Sequence, residues 1–400
     1  MENSKRGSSS VFITIIMASI IAIVFTLITA ARGEYIASRA DAVTDIAADS
    51  VMSEFDYNIQ KEYGLFLLGG KGSYLSGRLR SYVDYGMDGM KGVSVSSVKV
   101  SGEGYSVSNI ELIRNQIIEH MEYAKGAGAI IEMKKKSENV NDMKYETLRN
   151  GKAIVSLPTY GMQSPSLTSI AEGIVNKSGD LTHVLQDGTE GYLMNKYIMS
   201  KFNNMIYAQN KEHFFRNEAE YILGGKLSDE ENKKRVEMAI EAMRFPLNLE
   251  YLYTDKEKME ALLAAAEILT PEAAPVTSHV MAAAWAYAES DNDVKLLEEG
   301  HKVPVIKDKS SWAIDLDGVI NGLKTGVVLP DKEKGMEYTD YIQFLMFFQD
   351  ETVKVARIMD LIQINTRMNY DGEFVILEHC TGIHLNVRIN GRQTGYEKRY

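Results

Sequence analysis

Two short stretches hold residue types that could do chemistry. The first is Ala313-Ile314-Asp315-Leu316-Asp317-Gly318-Val319-Ile320. An apolar lead-in to Asp-x-Asp-Gly is a phosphohydrolase pattern, in which Asp315 would be the nucleophile and Asp317 the general acid, both near a divalent metal. Only about 80 residues follow it, too few for the doubly wound fold such a motif normally opens. No acidic pair with an apolar strand ahead of it follows downstream. The simpler expectation is a turn after a short strand, and the chain is not expected to be an enzyme. The second stretch holds His379, Cys380 and His384. Strand alternation would send His379 and Cys380 to opposite faces, against a metal site or a Cys/His nucleophile pair. A lone cysteine beside an apolar run reads instead as a small buried hydrophobe. No metal and no cofactor is expected.

Bulk composition excludes other classes. The 400 residues carry a net charge of −11, which gives nucleic acid no electrostatic footprint. Lys134-Lys135-Lys136 reads as a solvated helix end. With one cysteine, an intramolecular disulfide and a cysteine-based zinc site are both ruled out. Gly69-Gly70-Lys71-Gly72-Ser73 lacks the first glycine of a phosphate loop, because Leu65 stands at that position.

The elements that position these residues begin with a membrane candidate. Val11–Ala31 is 21 residues without charge, and only Thr14, Ser19, Thr26 and Thr29 are polar. At about 1.5 Å per residue it matches a hydrocarbon core of about 30 Å. Lys5 and Arg6 precede it; Arg32 and Arg39 follow, accompanied by Glu34, Asp41, Asp45 and Asp49. Lys and Arg alone do not decide the orientation, and the short basic tail with its free amine favours a cytoplasmic N-terminus. A cleaved signal peptide would have a shorter apolar region than this, and Thr29-Ala30-Ala31 is a poor cleavage site. Beyond the span, Ile36, Ala40, Val43, Ala47, Val51 and Phe55 recur at helical spacing, with Gly33 the only weak point. One helix from about Val11 to about Phe55 is expected. Its small residues Ala37, Ala40, Ala47 and Ala48 are candidates for close helix packing with partner chains, or for packing within the chain.

Farther along, Val93 to Val107 around Gly102-Glu103-Gly104 predicts a β-hairpin or meander. Ser108 to about Lys135 predicts a helix with Ile110, Ile113, Ile117 and Met121 on one face. Ser228-Asp229-Glu230-Glu231 and Thr254-Asp255-Lys256-Glu257 read as capping boxes opening two helices. Charges and prolines between Leu262 and Ala288 make that Ala-rich stretch buried helices rather than a second span. Thr339 to about Arg367 predicts one long helix. The strict alternation of Ile383, Leu385, Val387 and Ile389 after Phe374-Val375-Ile376-Leu377 predicts a closing hairpin. The expected fold class is α+β: a long membrane-spanning helix continuing into a mainly helical ectodomain with small β elements. The expected organisation is a cytoplasmic tail over 1–10, a span over 11–31, a helical extension over 32–60 and an ectodomain over 61–400, with an internal boundary near 137–180.

Several stretches resemble a known family. Gly7-Ser8-Ser9-Ser10-Val11-Phe12-Ile13, the apolar run, Arg39-Ala40-Asp41-Ala42 and Ile46-Ala47-Ala48-Asp49-Ser50 are similar to the N-terminus of TadE/TadG-like pseudopilins of the Tad (Flp) pilus machinery. Glu62-Tyr63-Gly64-Leu65-Phe66, Trp285-Ala286-Tyr287-Ala288-Glu289-Ser290, Tyr338-Thr339-Asp340-Tyr341 and Met359-Asp360-Leu361-Ile362-Gln363 resemble uncharacterised ectodomains found with such an N-terminus. The resemblance implies a minor pseudopilin or accessory factor for cell-surface pilus assembly. Its partners would be the lipid bilayer and pilin or other assembly subunits, met as a homo- or hetero-oligomer through the N-terminal helix, with Gly7-Ser8 as processing site. One position departs from the pattern: Phe12 stands where many pseudopilins carry a glutamate, which favours an accessory role over the repeating subunit. The competing expectation is a membrane-tethered extracytoplasmic enzyme or ligand-binding module.

Overall fold

The computed structural model describes residues 3–126, 156–160, 162, 190–210, 212–322 and 326–400. Its elements, in chain order, are α1 (Asn3–Met52), α2 (Tyr57–Tyr63), β1 (Leu68–Gly69), α3 (Gly72–Gly86), β2 (Val95–Ser101), α4 (Ile110–Gly126), α5 (Glu190–Lys201), α6 (Glu218–Gly224), α7 (Asp229–Thr254), α8 (Lys256–Leu269), α9 (Ala274–Glu298), α10 (Leu316–Ile320), α11 (Tyr338–Phe347), α12 (Glu351–Asn369), β3 (His379–Cys380), β4 (Gly382–Ile389) and β5 (Arg392–Arg399). The described chain is mostly helical with small antiparallel sheets, an α+β fold led by one long apolar helix. It divides into two compact units: the residues up to Tyr57 with Phe66–Asn109 and Leu377–Tyr400, and Asn58–Leu65 with Ile110–Ile376. Most of the expected boundary at 137–180, the Lys134–Lys136 run and the far end of the helix expected to reach Lys135 lie outside the described residues.

In the first unit, α1 runs without a break through Gly33, where an added Cβ would meet nothing within 4 Å. A three-stranded antiparallel sheet, in the order β2-β4-β5, supplies the other layer. Along β4 the buried and exposed positions alternate: Ile383, Leu385, Val387 and Ile389 point into the core, and His384, Asn386 and Arg388 point out. This half-buried strand is what its period of two predicts. Two pairings differ from expectation. The partner of β4 in the closing hairpin is β5, not Phe374–Leu377, which leads into a single 3-10 turn over Ile376–Glu378. Asn390 and Gly391 both take positive φ, 50° and 83°, the geometry of a type I′ turn whose twist matches the two strands. The segment after the Gly102–Gly104 turn likewise does not fold back on β2. Strand β2 pairs with β4 from the far end of the chain, Val98 opposite Val387 and Val100 opposite Leu385.

The second unit is helical. Its central helix, α12, is buried almost continuously from Val353 to Thr366, as a helix inside a core must be. The expected single helix from Thr339 to Arg367 is in fact two, α11 and α12. Asp350 ends the first by capping the second, its carboxylate accepting from the Val353 N–H at 3.0 Å. Several polar residues of α12 bond to neighbouring elements. Arg357 donates to the Ile222 and Leu223 carbonyls at the end of α6, at 2.6 and 2.7 Å. Gln363 bonds Ser156 and the Ile376 N–H. The capping box expected at Ser228 is present in part, with Ser228 accepting from the Glu231 N–H. The next helix is capped by Asp255 rather than Thr254, one residue later than expected.

Asp360 of α12 gives a pH signature. Thr159 donates to it twice, through its N–H at 3.1 Å and its hydroxyl at 2.5 Å, and Tyr221 donates at 2.8 Å. Burial outweighs these bonds and pushes its carboxyl up to about 6. The folded chain therefore holds a proton that the unfolded chain releases near pH 4. This contribution to stability is full below pH 4 and is lost as pH rises through about 6. It amounts to on the order of 2–3 kcal/mol. Thermal melts from pH 4 to 7 should show a falling contribution in the parent chain that is absent in Asp360→Asn.

Candidate functional site: the N-terminal helix and its seat

The feature of this chain best suited to act on something else is α1, which has two halves of different character. From Ser10 to Tyr35 every side chain is exposed. Large apolar groups cover this half on all sides, among them Phe12 at 65%, Phe25 at 70% and Ile28 at 62% exposure. Thr14, Ser19, Thr26 and Thr29 each turn their hydroxyl back onto the carbonyl four residues earlier, at 2.8–2.9 Å. That satisfies every side-chain hydroxyl within Val11–Ala31, a requirement for burial in hydrocarbon. Among the described residues this is the one helix long and apolar enough to cross a membrane.

The second half is seated on the first unit. Ala40, Val43, Ala47, Ala48, Val51 and Met52 share one core with Leu79 and Val83 of α3 and with Ile383, Leu385, Val387 and Ile389 of β4. A Cβ added at Gly86 would lie 2.6 Å from Val43 Cγ1, so only glycine allows α3 to end this close to α1. Polar clamps flank the apolar seam. Asp41, Asp45 and Asp49 form a line at four-residue spacing along α1. Asp41 accepts from Thr394 at 2.9 Å and faces Arg392 at 3.6 Å. Lys398 sits between Asp45 and Asp49, 2.8 Å from each, and its ammonium is held above its ordinary pKa by those hydrogen bonds. Beyond the helix end, Glu54 accepts from Arg78 Nε at 2.9 Å and from Tyr82 at 2.5 Å. The Arg78 guanidinium keeps the Glu54 carboxyl below the usual range. Exposed pairs contribute little singly, so the seat rests on its apolar seam and these pairs fix its register.

Of the four alanines singled out for packing, Ala40, Ala47 and Ala48 are buried in this chain's own core and Ala37 is half-buried. Gly7 and Ser8 lie in the first turns of α1. The other sequence candidates occupy modest positions. Asp315 accepts from the Gly318 N–H at 2.5 Å as the cap of α10, and Asp317, two residues on, is exposed. No strand leads into them; the Ala313 and Ile314 N–H groups donate to buried Glu289 instead. Cys380 is buried, whereas His384 lies outside on the sheet beside Tyr105 and Glu397. Among the described residues no group of three or more His, Cys, Asp or Glu could hold a metal ion.

Residues 108–391 match the Family of unknown function (DUF5702). The chain belongs to that family. No curated protein matches it, and no solved structure does.

Within the DUF5702 region lies a charge cluster that the sequence reading missed. Arg244 on α7 bonds Asp293 at 2.9 Å, and Lys307 reaches Glu289 at 2.5 Å and Asp293 at 2.6 Å, with all four side chains at 0–1% exposure. Asn248 and Ser290 complete the network, and Arg244 also donates to the Val305 carbonyl at 2.6 Å. Beside it, the indole N–H groups of Trp285 and Trp312 both donate to the Ile314 carbonyl, at 2.8 and 2.7 Å. The Lys258 ammonium lies over both rings, at 4.5 and 4.8 Å. Every charge is matched, so the cluster ties the 303–314 loop to α7 and α9. The one local sign is that Glu289 and Asp293 stand four apart, on one face of an Ala-rich helix.

Proposed function

We propose that the chain is a single-pass membrane protein, N-terminus in the cytoplasm and everything beyond the span outside, acting by helix packing and protein–protein interaction as a minor pseudopilin or accessory component of Tad-type pilus assembly. The observation that carries this reading is the continuity of α1. The apolar half and the seated half are one helix, with no linker between them. A tether needs no such coupling. A part that presents its folded unit to neighbours at a fixed angle to the membrane does. Because Ala40, Ala47 and Ala48 are used inside the chain, the surface left for sibling helices is the exposed apolar half, Val11–Ala31. The absence of a glutamate at Phe12 fits an accessory part better than the repeating subunit.

Exchanging Val11–Ala31 for an unrelated span of equal length tests the proposal. Pilus assembly in cells carrying the exchange should fall at least tenfold while the chain stays membrane-bound and folded. Full assembly would make the helix a mere tether and sink the reading.

A further inference from the structure

We propose that the loop from Met87 to Ser94 is a membrane foot: it rests in the phospholipid headgroup layer and fixes how deeply α1 is inserted. The inference rests on the reading that Val11–Ala31 crosses a bilayer, and holds whichever side the units occupy. Arg32 is the first residue past the apolar run, and its guanidinium Nη2 donates to the Lys91 carbonyl at 2.9 Å. A Cβ at Gly92 would lie 3.4 Å from that same nitrogen. The loop thus comes down beside the helix at the level where it leaves hydrocarbon. Headgroups extend about 5–8 Å beyond the hydrocarbon on each side, and Arg32 to Ile36 covers about 6 Å of helix. A loop held against the Arg32 guanidinium lies within reach of that layer.

The loop is held at this height. Ser94 N–H donates to Asn390 Oδ1 at 2.8 Å, the Asn390 N–H returns to the Ser94 carbonyl at 2.9 Å, and Asn390 Nδ2 donates to the Gly92 carbonyl at 3.0 Å. The β4–β5 turn therefore braces it from the sheet. Gly89 and Gly92, at φ of 77° and 80°, make the two tight turns that bring it back to β2. Its chemistry suits a phosphate layer of mixed charge. Lys91 and Arg32 are exposed cations, Asp88 and Glu34 exposed anions, and Tyr35, 65% exposed, stands at the interface where tyrosine is favoured. With cations and anions equal in number, the contact does not depend on net lipid charge.

Full-length chains with Cys380→Ser and one new cysteine, Lys91→Cys, Glu103→Cys or Ile21→Cys, would carry an environment-sensitive fluorophore in phosphatidylcholine vesicles containing headgroup spin-labelled lipid. Glu103 is exposed in the turn at the far end of β2 from the loop. Quenching at residue 91 should exceed that at residue 103 at least threefold, with hydrocarbon-like emission at residue 21. Equal quenching at 91 and 103, with residue 21 still in hydrocarbon, overturns the foot and spares the span. Water-like emission at residue 21 overturns both.

Discussion

Lys307→Met should destabilise the second unit by about 3–5 kcal/mol, the cost of breaking a buried ion pair from one side. Methionine fills nearly the same volume, so packing is not what is lost. What remains is Glu289 and Asp293, both fully buried, one turn apart, with one cation gone. Asp293 keeps Arg244, and Glu289 still accepts from Ala313 and Ile314, but those bonds do not replace the cation that Glu289 has lost. Adding Glu289→Gln should recover part of the loss, because it removes the one carboxylate left without a cation, Asp293 keeping Arg244. Lys309→Met, two residues away, removes a pair to Glu257 that is exposed on both sides and should change the melting curve little. Denaturant unfolding of the three variants checks this. A loss below 1 kcal/mol for Lys307→Met would mean that water reaches the cluster.

Ala48→Leu should cost the first unit about 1–3 kcal/mol through overpacking. Ala48 is 0% exposed, within the core shared by α1, α3 and β4. Three added carbons have no room without lifting α1 off its seat. Ala42→Leu, on the exposed side of the same helix, should leave the melt unchanged. The pair separates two roles that the sequence left open for the small-residue face. If Ala48→Leu folds as well as the parent, the seam is loose, and these alanines become available to partner helices after all. The expected loss instead keeps Ala48 within the chain's own core.

Local chemistry decided what the sequence could reveal. The helix from Val11 onward was legible because a 21-residue uncharged run and a three-four spacing need no tertiary information. Strand β4 was legible from its strict alternation. Its partner was not, because β5 (Arg392–Arg399) is polar and only partly buried; Asn390-Gly391 is its one local sign. The pairing of β2 with β4 joins residues nearly 300 apart and left no local trace. The break between α11 and α12 was written in Asp350, a capping residue set inside a run whose apolar period continues past it. For the candidate site, the exposed apolar half was predicted from composition. The seat was not, since whether an alanine faces a sibling or its own sheet depends on strands from the other end of the chain. The ionic cluster escaped for a similar reason: Arg244, Asp293 and Lys307 meet only once α7, α9 and the following loop are assembled.

The proposed function requires α1 to be one working piece, lodged in lipid at one end and seated on the first unit at the other. Mass and N-terminal sequence of the chain recovered from alkali-washed cell membranes test that directly. The account predicts a membrane-retained chain whose first residue precedes Val11. A chain released into the medium and beginning near Gly33 would contradict it.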